Sequence, residues 1–268
     1  IPHIVSLISE LKNVTKVLDG FSGTTRVSQA FAQLGYHTTA SDISAWSDVV
    51  AHCFLKSSKK DSFYQEIIDH LNSLKGYDGW YTECYGGELL EIKKPFQSKN
   101  TRKLDAIRDA IEKLNLEWSD KCVLLTSLMF ALDKVDSTLG HYVSYLSKWS
   151  PRSHKDLFLK LPERFSINNN NHEVIRGDIF QTVSNNEYDL VYFDPPYGSN
   201  NDKMPPSRVR YASYYHIWKT IIQHDKPKLF GKANRREDSR DAVAASIFEE
   251  FRKNEDGSFI AMQALDEL

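Results

Sequence analysis

Short runs of apolar and β-branched residues predict four strands, and an acidic residue stands at the end of each. They span Lys16 to Asp19, Tyr36 to Asp42, Val174 to Asp178 and Tyr188 to Asp194. A helix that ends at Gly35 separates the first two strands and makes a β-α-β unit. Strands joined in this way run parallel, and ligands bind along the edge where their carboxyl ends meet. The pattern therefore predicts an α/β fold with a mostly parallel, doubly wound sheet and four carboxylates along one edge.

Between the second and third strands, a helical period replaces the strand pattern for about 130 residues. It predicts amphipathic helices at Phe63–Leu74, at Leu104–Leu114 with Asn100 or Thr101 as the N-cap, and from near Ser119 to Val135. The aromatic segment Gly79–Gly87 is expected to be an irregular loop that carries function. We therefore expect a sheet domain of residues 1–55 and 165–268 with a helical insertion of residues 56–164.

The composition indicates a globular protein and argues against a membrane protein or a secreted protein. The 268 residues are 41% hydrophobic with a formal net charge of −2, which indicates a globular chain that is not uniformly basic. No apolar stretch is long enough to span a membrane, and no signal-peptide pattern opens the chain. Cys53, Cys84 and Cys122 are odd in number and lack metal-ligand spacing, which predicts core thiols, no metal site and a cytoplasmic location.

The turn after the first strand has the chemistry of a cofactor site. It reads Gly20-Phe21-Ser22-Gly23-Thr24-Thr25, and its glycines let the backbone approach a ligand at the start of the following helix. Asp42 can accept hydrogen bonds from both hydroxyls of a ribose. A dinucleotide fingerprint would need a third glycine, which is absent. The segment therefore predicts a cofactor with an adenosine but no phosphates, and the alternative is a plain tight turn.

The fourth strand runs into the segment Asp194-Pro195-Pro196-Tyr197. Neither proline can donate a backbone hydrogen bond, and each restricts the preceding residue to extended conformations. The segment thus holds an acidic side chain and rigid carbonyl groups at the ligand-binding edge of the sheet. The alternative is an ordinary strand-end turn, because Asp-Pro often begins turns.

A basic and aromatic stretch follows this segment. From Lys203 to Arg236 there are nine lysines and arginines and one acidic residue, Asp225. Basic side chains bind phosphates and aromatic rings stack on unpaired bases, which favours nucleic-acid binding; the alternative is a solvated charged face. The candidate nucleic-acid-binding residues here and in the insertion are Lys148, Arg152, Arg208, Arg210, Tyr211, Tyr214, Tyr215 and His216.

Together, the segment Phe21–Thr25, Asp42 and the segment Asp194–Tyr197 resemble the amino-group DNA methyltransferases that use S-adenosylmethionine. The best match is the Dam-like branch, which methylates adenine at N6, and it extends from about residue 1 to residue 240. The resemblance implies a Rossmann-like methyltransferase sheet, with the helical insertion as a DNA-recognition region. It also implies site-specific methylation of a flipped-out adenine in double-stranded DNA. The expected setting is a restriction-modification system with a cognate endonuclease that acts on the same site.

The resemblance also implies roles for single residues. Phe21 and Gly23 would line the methionine pocket, and Asp42 would hold the ribose. Asp178 would lie at the adenine amino group of the cofactor, with Ile179 packed on its ring. In catalysis, Asp194 and the Pro195 carbonyl would bind the amine of the target adenine and Tyr197 would stack on its ring. The other candidates in these segments are Asp19, Ser22, Thr24, Thr25 and Ile43 for the cofactor and Pro196 for catalysis.

The sequence departs from the family pattern at three places. Thr25 stands where a second glycine is usual, a Gly-Ser-Lys-type cofactor segment would lie before Ile1, and the later strands are reduced to Phe259 and Ile260. We therefore expect residues beyond Ile1 and Leu268. Three alternatives stay open: methylation of RNA adenine, methylation of cytosine N4, whose branch usually has serine in place of Asp194, and an inactive nucleic-acid-binding subunit.

Overall fold

The computed structural model describes residues 1–90, 93–165, 171–195, 211–240 and 265–268. The helices are α1 (Pro2–Ser9), α2 (Arg26–Gln33), α3 (Ala45–Leu55), α4 (Asp61–Ser73), α5 (Trp80–Tyr85), α6 (Ser98–Lys113), α7 (Trp118–Leu132), α8 (Ile179–Ser184), α9 (Tyr211–Tyr214) and α10 (His216–Gln223). The strands are β1 (Lys16–Asp19), β2 (His37–Asp42), β3 (Gly86–Gly87), β4 (Phe96–Gln97), β5 (Glu173–Arg176), β6 (Leu190–Tyr192), β7 (Leu229–Phe230) and β8 (Arg235–Arg236). Short 3₁₀ helices lie at Pro151–His154 and Glu237–Ser239.

Two compact units divide the chain. Unit 1 comprises residues 1–56, 164–210 and 241–268, and unit 2 comprises residues 57–163 and 211–240. The boundaries near residues 56 and 164 are close to those expected, but residues 211–240 belong to unit 2 and not to the sheet domain. One reason is Arg108 on α6, which donates hydrogen bonds to the carbonyl oxygens of Ile221 (2.6 Å) and Ile222 (3.2 Å) near the end of α10. The functional roles assigned to the two parts stay a prediction.

Unit 1 is built on a four-stranded sheet in the order β5-β2-β1-β6, and all three strand pairs are parallel. Successive residues of a strand face opposite sides. Val17 of β1 packs with Phe31 of α2 on one side, and Leu18 packs with Ile179 of α8 on the other. Helices therefore cover both faces, and the predicted mixed α/β fold with a parallel sheet is confirmed.

Helix α3 follows β2 directly and was not predicted. Nine of its eleven residues are buried. A helix buried on nearly all sides lacks the polar face that gives an amphipathic period, so its sequence carries no such signal. The β-α alternation thus continues past Asp42 before unit 2 begins.

Helices α4, α6 and α7 of unit 2 correspond to the three predicted helices. The predicted N-cap of the second was wrong, because α6 begins at Ser98 and both Asn100 and Thr101 lie inside it. The Asn100 side chain instead accepts a hydrogen bond from the Leu157 backbone nitrogen (2.9 Å) and donates one to the Lys155 carbonyl oxygen (3.0 Å). It therefore fixes a neighbouring segment to α6.

The segment Gly79–Gly87 is not an irregular loop, because it contains α5 and β3. Asp105 of α6 accepts hydrogen bonds from the backbone nitrogens of Gly79 (3.2 Å), Tyr81 (2.9 Å) and Thr82 (2.9 Å). A carboxylate there satisfies donors that the first turn of a helix leaves unpaired. The short helix is thus fixed by a residue distant in sequence. Phe259 and Ile260, the expected remnant of the later strands, lie outside the described residues.

Candidate functional site

The carboxyl ends of the four parallel strands bring the predicted acidic residues to one edge of the sheet. Asp19 and Asp42 are the last residues of β1 and β2, and Asp178 and Asp194 each follow a strand end by two positions. Asp19 pairs in register with Ala40 of β2 and with Tyr192 of β6. The predicted row of carboxylates is therefore present, although its members differ in burial and in hydrogen bonding.

The turn between β1 and α2 is held by the neighbouring strand β2. The Ser22 backbone nitrogen donates to the Ser41 carbonyl oxygen (2.9 Å), and the Gly23 backbone nitrogen donates to Oδ2 of Asp42 (2.9 Å). Gly23 has a φ of +46°, which glycine adopts without steric cost. Buried Ser22 also shares a hydrogen bond with Ser47 of α3 (3.0 Å). Thr24 is exposed at the outer side of this turn.

The Asp42 carboxylate is partly engaged by the protein itself. In addition to the bond from Gly23, its Oδ1 accepts hydrogen bonds from the Ser44 backbone nitrogen (2.8 Å) and hydroxyl (2.5 Å). Each carboxylate oxygen has two lone pairs. Among the described residues, Oδ1 thus has two donors and Oδ2 has one, which leaves one acceptor position. This differs from the expectation that Asp42 is open to two ribose hydroxyls at once.

Asp19 is a buried residue at the end of β1 that is hydrogen-bonded to the first turn of α2. It is 1% exposed, and its Oδ2 accepts hydrogen bonds from the Ser28 backbone nitrogen (3.0 Å) and hydroxyl (2.6 Å). Burial, with added repulsion from Asp42 and Asp194, raises the pKa of Asp19 to about 7. Its geometry is that of a residue that fixes the start of α2 to β1.

Asp178 and Ile179 also have structural partners. Oδ1 of Asp178 accepts hydrogen bonds from the backbone nitrogens of Phe180 (2.9 Å) and Gln181 (3.4 Å), so Asp178 is the N-cap of α8. Ile179 is 5% exposed and belongs to the core cluster that contains Leu18. Their proposed contacts with a cofactor remain predictions, because a capping carboxylate still has acceptor capacity.

Asp194 differs from the other three carboxylates because it is exposed. It follows Phe193, whose ring lies edge-on to Phe21 with centroids 6.1 Å apart. A Cβ at Gly20 would come within 2.8 Å of both Phe193 and Ile179, so glycine makes room for this packing. Pro195 is buried. Pro196 and Tyr197 lie outside the described residues.

Two of the predicted nucleic-acid-binding residues are structural. Arg152 forms an ion pair with Asp136 (2.5 Å) and donates to the Thr138 carbonyl oxygen (3.3 Å). His216 is fully buried, donates from Nε2 to the Tyr142 carbonyl oxygen (2.9 Å), and has a pKa lowered to about 4 by burial. A neutral buried histidine cannot contact DNA, so its predicted role was wrong.

The other candidates in unit 2 are more accessible. Lys148 and Tyr211 are exposed, and Tyr214 and Tyr215 are half-buried. The ring of Tyr214 stacks on His141 at 4.8 Å and that of Tyr215 on Trp218 at 5.0 Å, so both are packed on one side. Arg208 and Arg210 lie outside the described residues.

Ser28 and Ser44 are site residues that sequence reasoning missed. Ser44 follows Asp42 by two positions. Aspartate side chains often accept a hydrogen bond from the backbone nitrogen two residues later, so the sequence contained a signal for this contact. Ser28 carries no such signal because Asp19 reaches it through the fold. In the described part of the chain, no group of three histidine, cysteine or acidic side chains could hold a metal ion.

The parallel sheet with helices on both faces and acidic residues along its carboxyl edge is consistent with a Rossmann-like methyltransferase fold. Comparisons with known proteins identify the family. Residues 1–249 match the family described as D12 class N6 adenine-specific DNA methyltransferases. The chain belongs to this family, which confirms the resemblance and the expected reaction, methylation of adenine N6 in DNA.

Several characterised relatives are similar to the chain. It is 26% identical over 251 residues to the type II methyltransferase M.NlaIII of Neisseria lactamica, covering 90% of this chain and 72% of the relative. It is 30% identical over 232 residues to modification methylase StsI of Streptococcus sanguinis and 27% identical over 235 residues to modification methylase LlaI of Lactococcus lactis. The alignments span only 33% and 36% of those two enzymes. No solved structure matches the chain. None of the described helices is long and apolar enough to cross a membrane.

Proposed function

We propose that the chain is the modification enzyme of a restriction-modification system and transfers a methyl group from S-adenosylmethionine to N6 of a flipped-out adenine at one duplex sequence. The observation that carries this proposal is the exposed carboxylate of Asp194 at the ligand-binding edge, where Asp19, Asp42 and Asp178 are each bound to backbone nitrogens. The relatives named as modification methylases support the biological setting. A cognate endonuclease and a cytoplasmic location are part of the same proposal.

The residues along the edge fit the cofactor. Gly23 has a left-handed backbone conformation and no side chain, so a ligand can approach the backbone of the turn, and Thr24 beside it is exposed. Asp42 retains one acceptor position for a ribose hydroxyl. Phe21 offers a half-buried ring beside this turn. When bound, S-adenosylmethionine supplies an electrophilic methyl group. The roles of Asp178 and Ile179 at its adenine follow from the family resemblance.

The task of the Asp194 segment is to activate a weak nucleophile. The lone pair of the adenine amine is delocalised into the ring, so the nitrogen is nearly planar and unreactive. Asp194 and the Pro195 carbonyl oxygen would accept its two N–H bonds and draw the nitrogen toward tetrahedral geometry. Such catalysis comes from positioning and electrostatics. A stacked base cannot reach this edge, so the adenine must be flipped out.

The proposal predicts that Asp194→Ala abolishes methyl transfer to DNA, with a rate loss of at least about 100-fold, since one aligned acceptor contributes about that much. Cofactor affinity, measured by calorimetry, should stay close to that of the wild type. Tritiated-methyl transfer followed by mapping of the modified base gives both the activity and the target sequence. Near-normal turnover of the variant would refute the catalytic role of Asp194.

Glu187→Gln is the matched control because Glu187 is an exposed acid just before β6, at the other end of the strand. It should leave turnover unchanged. The same assay on structured RNA tests the RNA alternative, which is rejected if only duplex DNA is methylated. Binding of DNA without any binding of S-adenosylmethionine would instead favour an inactive subunit.

A further inference from the structure

The hairpin of β7 and β8 in unit 2 concentrates positive charge. Residues 225–240, here called the basic hairpin, contain six lysines and arginines and three acidic residues, although the whole chain has a net charge of −2. We propose that the basic hairpin binds the phosphate backbone of duplex DNA. The inference rests on the proposed function, which supplies DNA as the substrate.

One cation of the basic hairpin is structural. Arg236 is 3% exposed and forms two parallel hydrogen bonds of 2.7 Å with the carboxylate of Asp225. It also donates to Asp238 (3.0 Å). Arg236 thus occupies two of the three acids and fixes the base of the hairpin. The other five cations then face a single acid, Glu237.

Four of those five cations are exposed, namely Lys226, Lys228, Lys232 and Arg240. Lys228 and Arg240 share Glu237, at 3.1 Å and 3.4 Å. The Lys228 side chain is 81% exposed, and water screens an ion pair of this kind so that it adds little stability. Phosphates can therefore replace Glu237 at little cost. Lys232 lies in the turn between β7 and β8 with no ion pair to any described residue.

Two guanidinium groups are held in position by one aromatic ring. The Cζ atoms of Arg235 and Arg240 lie 4.6 Å and 4.2 Å from the centroid of Phe230. A stacked guanidinium uses its planar face, so its N–H groups stay at the edge, where they match the geometry of a phosphate. Arg235 donates one of these groups to the Ser213 hydroxyl (3.4 Å) and Arg240 donates one to Glu237 (3.4 Å), and the guanidinium groups have five N–H donors each. The ring therefore orients both arginines before any ligand arrives.

The backbone of the basic hairpin is fixed as well. The Asn234 side chain donates to the Cys84 carbonyl oxygen (2.6 Å), and the Glu237 backbone nitrogen donates to the Lys228 carbonyl oxygen (2.9 Å). An asparagine amide is the side chain that reads adenine edges, and here its nitrogen is already engaged. The basic hairpin thus presents its cations on a fixed backbone, which suits contacts that position the protein on the phosphates.

The test is the salt dependence of DNA binding, measured by fluorescence anisotropy on a target duplex and on a mixed-sequence duplex. The logarithm of the binding constant falls linearly with the logarithm of the salt concentration, and each lost phosphate contact reduces the magnitude of this slope by about 0.9. Lys232→Ala with Arg240→Ala should therefore lower the slope by about 1.8. Affinity should fall by the same factor on both duplexes.

Lys113→Ala is the matched control, because it removes one exposed positive charge at the end of α6. It should leave the slope unchanged, and Arg240→Lys should keep the wild-type slope. An unchanged slope in the double variant, an equal effect of Lys113→Ala, or a loss confined to the target duplex would each overturn the proposal. Salt-dependent binding without any methyl transfer by the wild type would refute the proposed function alone.

Discussion

Thr25 is the residue at which the turn departs from the family pattern, and it has an unusual backbone. Its φ is +60°, although a β-branched residue disfavours the left-handed region. The residue is fully buried, and its hydroxyl accepts a hydrogen bond from the Gln29 side chain (2.8 Å). The hydroxyl thus offsets part of the strain that a glycine here would avoid.

This conformation predicts an inverted order of stability for two variants. Thr25→Gly and Thr25→Ala both lose the Gln29 hydrogen bond, but only alanine keeps a Cβ in the left-handed region. Left-handed strain is roughly 1–2 kcal/mol and the entropic penalty of glycine roughly 0.5–1 kcal/mol, so at the middle of both ranges the glycine variant should be more stable by about 0.7 kcal/mol. Urea denaturation measures the difference. The control is Ala30→Gly in α2, which should be less stable than the wild type, as glycine usually is in a helix. If Thr25→Ala is more stable than Thr25→Gly, the prediction is refuted.

At the scale of elements, the end of β6 depends on the turn after β1. Gly20 leaves space for Phe193 and Ile179, and Phe193 immediately precedes Asp194. The end of β6 and the turn after β1 are therefore packed against each other, so a change in the turn is expected to displace the strand end. Strand patterns in the sequence indicate each segment but not this contact between them.

Gly20→Ala should therefore affect both stability and catalysis. The added methyl group would lie 2.8 Å from Phe193, and such overpacking lowers the free energy of unfolding by about 1–3 kcal/mol. Displacement of Phe193 should also lower the rate of methyl transfer. Gly177→Ala is the control at the same edge, since nothing lies within 4 Å of its added Cβ. Denaturation midpoints and initial rates measure both effects; equal behaviour of the two variants would argue against the packing constraint.

Element prediction succeeded where one strand or helix carries its own signal. β1 was predicted at its observed bounds, and α4, α6 and α7 were found from their apolar faces. The prediction missed α3, which is buried on nearly all sides, and α5, which depends on Asp105 of α6. Both are stabilised by contacts with distant residues, which local periodicity does not contain.

For the molecule as a whole, the buried Asp19 links protonation to stability. Its pKa is raised from 3.8 to about 7, so the folded protein binds a proton that the unfolded chain releases between these values. Stability from this group is present below pH 3.8 and declines as pH rises toward about 7. Above that pH no further change is expected from Asp19.

The prediction is measured as a difference between two proteins. From pH 4 to 7, the free energy of unfolding of the wild type should fall relative to that of Asp19→Asn, and the difference should level off above about pH 7. Urea denaturation across this range gives both curves, and the subtraction removes the contribution of other titrating groups. Parallel curves would show that Asp19 does not hold a proton in the folded state.

The sequence by itself determined the α/β class, the parallel strands and the acidic residues at their carboxyl ends, because period, proline and glycine act locally. The tertiary structure decided what each acid does. Asp19 is buried against Ser28, Asp42 is partly engaged by Ser44, and Asp194 stays exposed. It also placed His216 in a core and residues 211–240 in unit 2. Burial and hydrogen bonding depend on which distant segments meet, and that is a property of the folded chain.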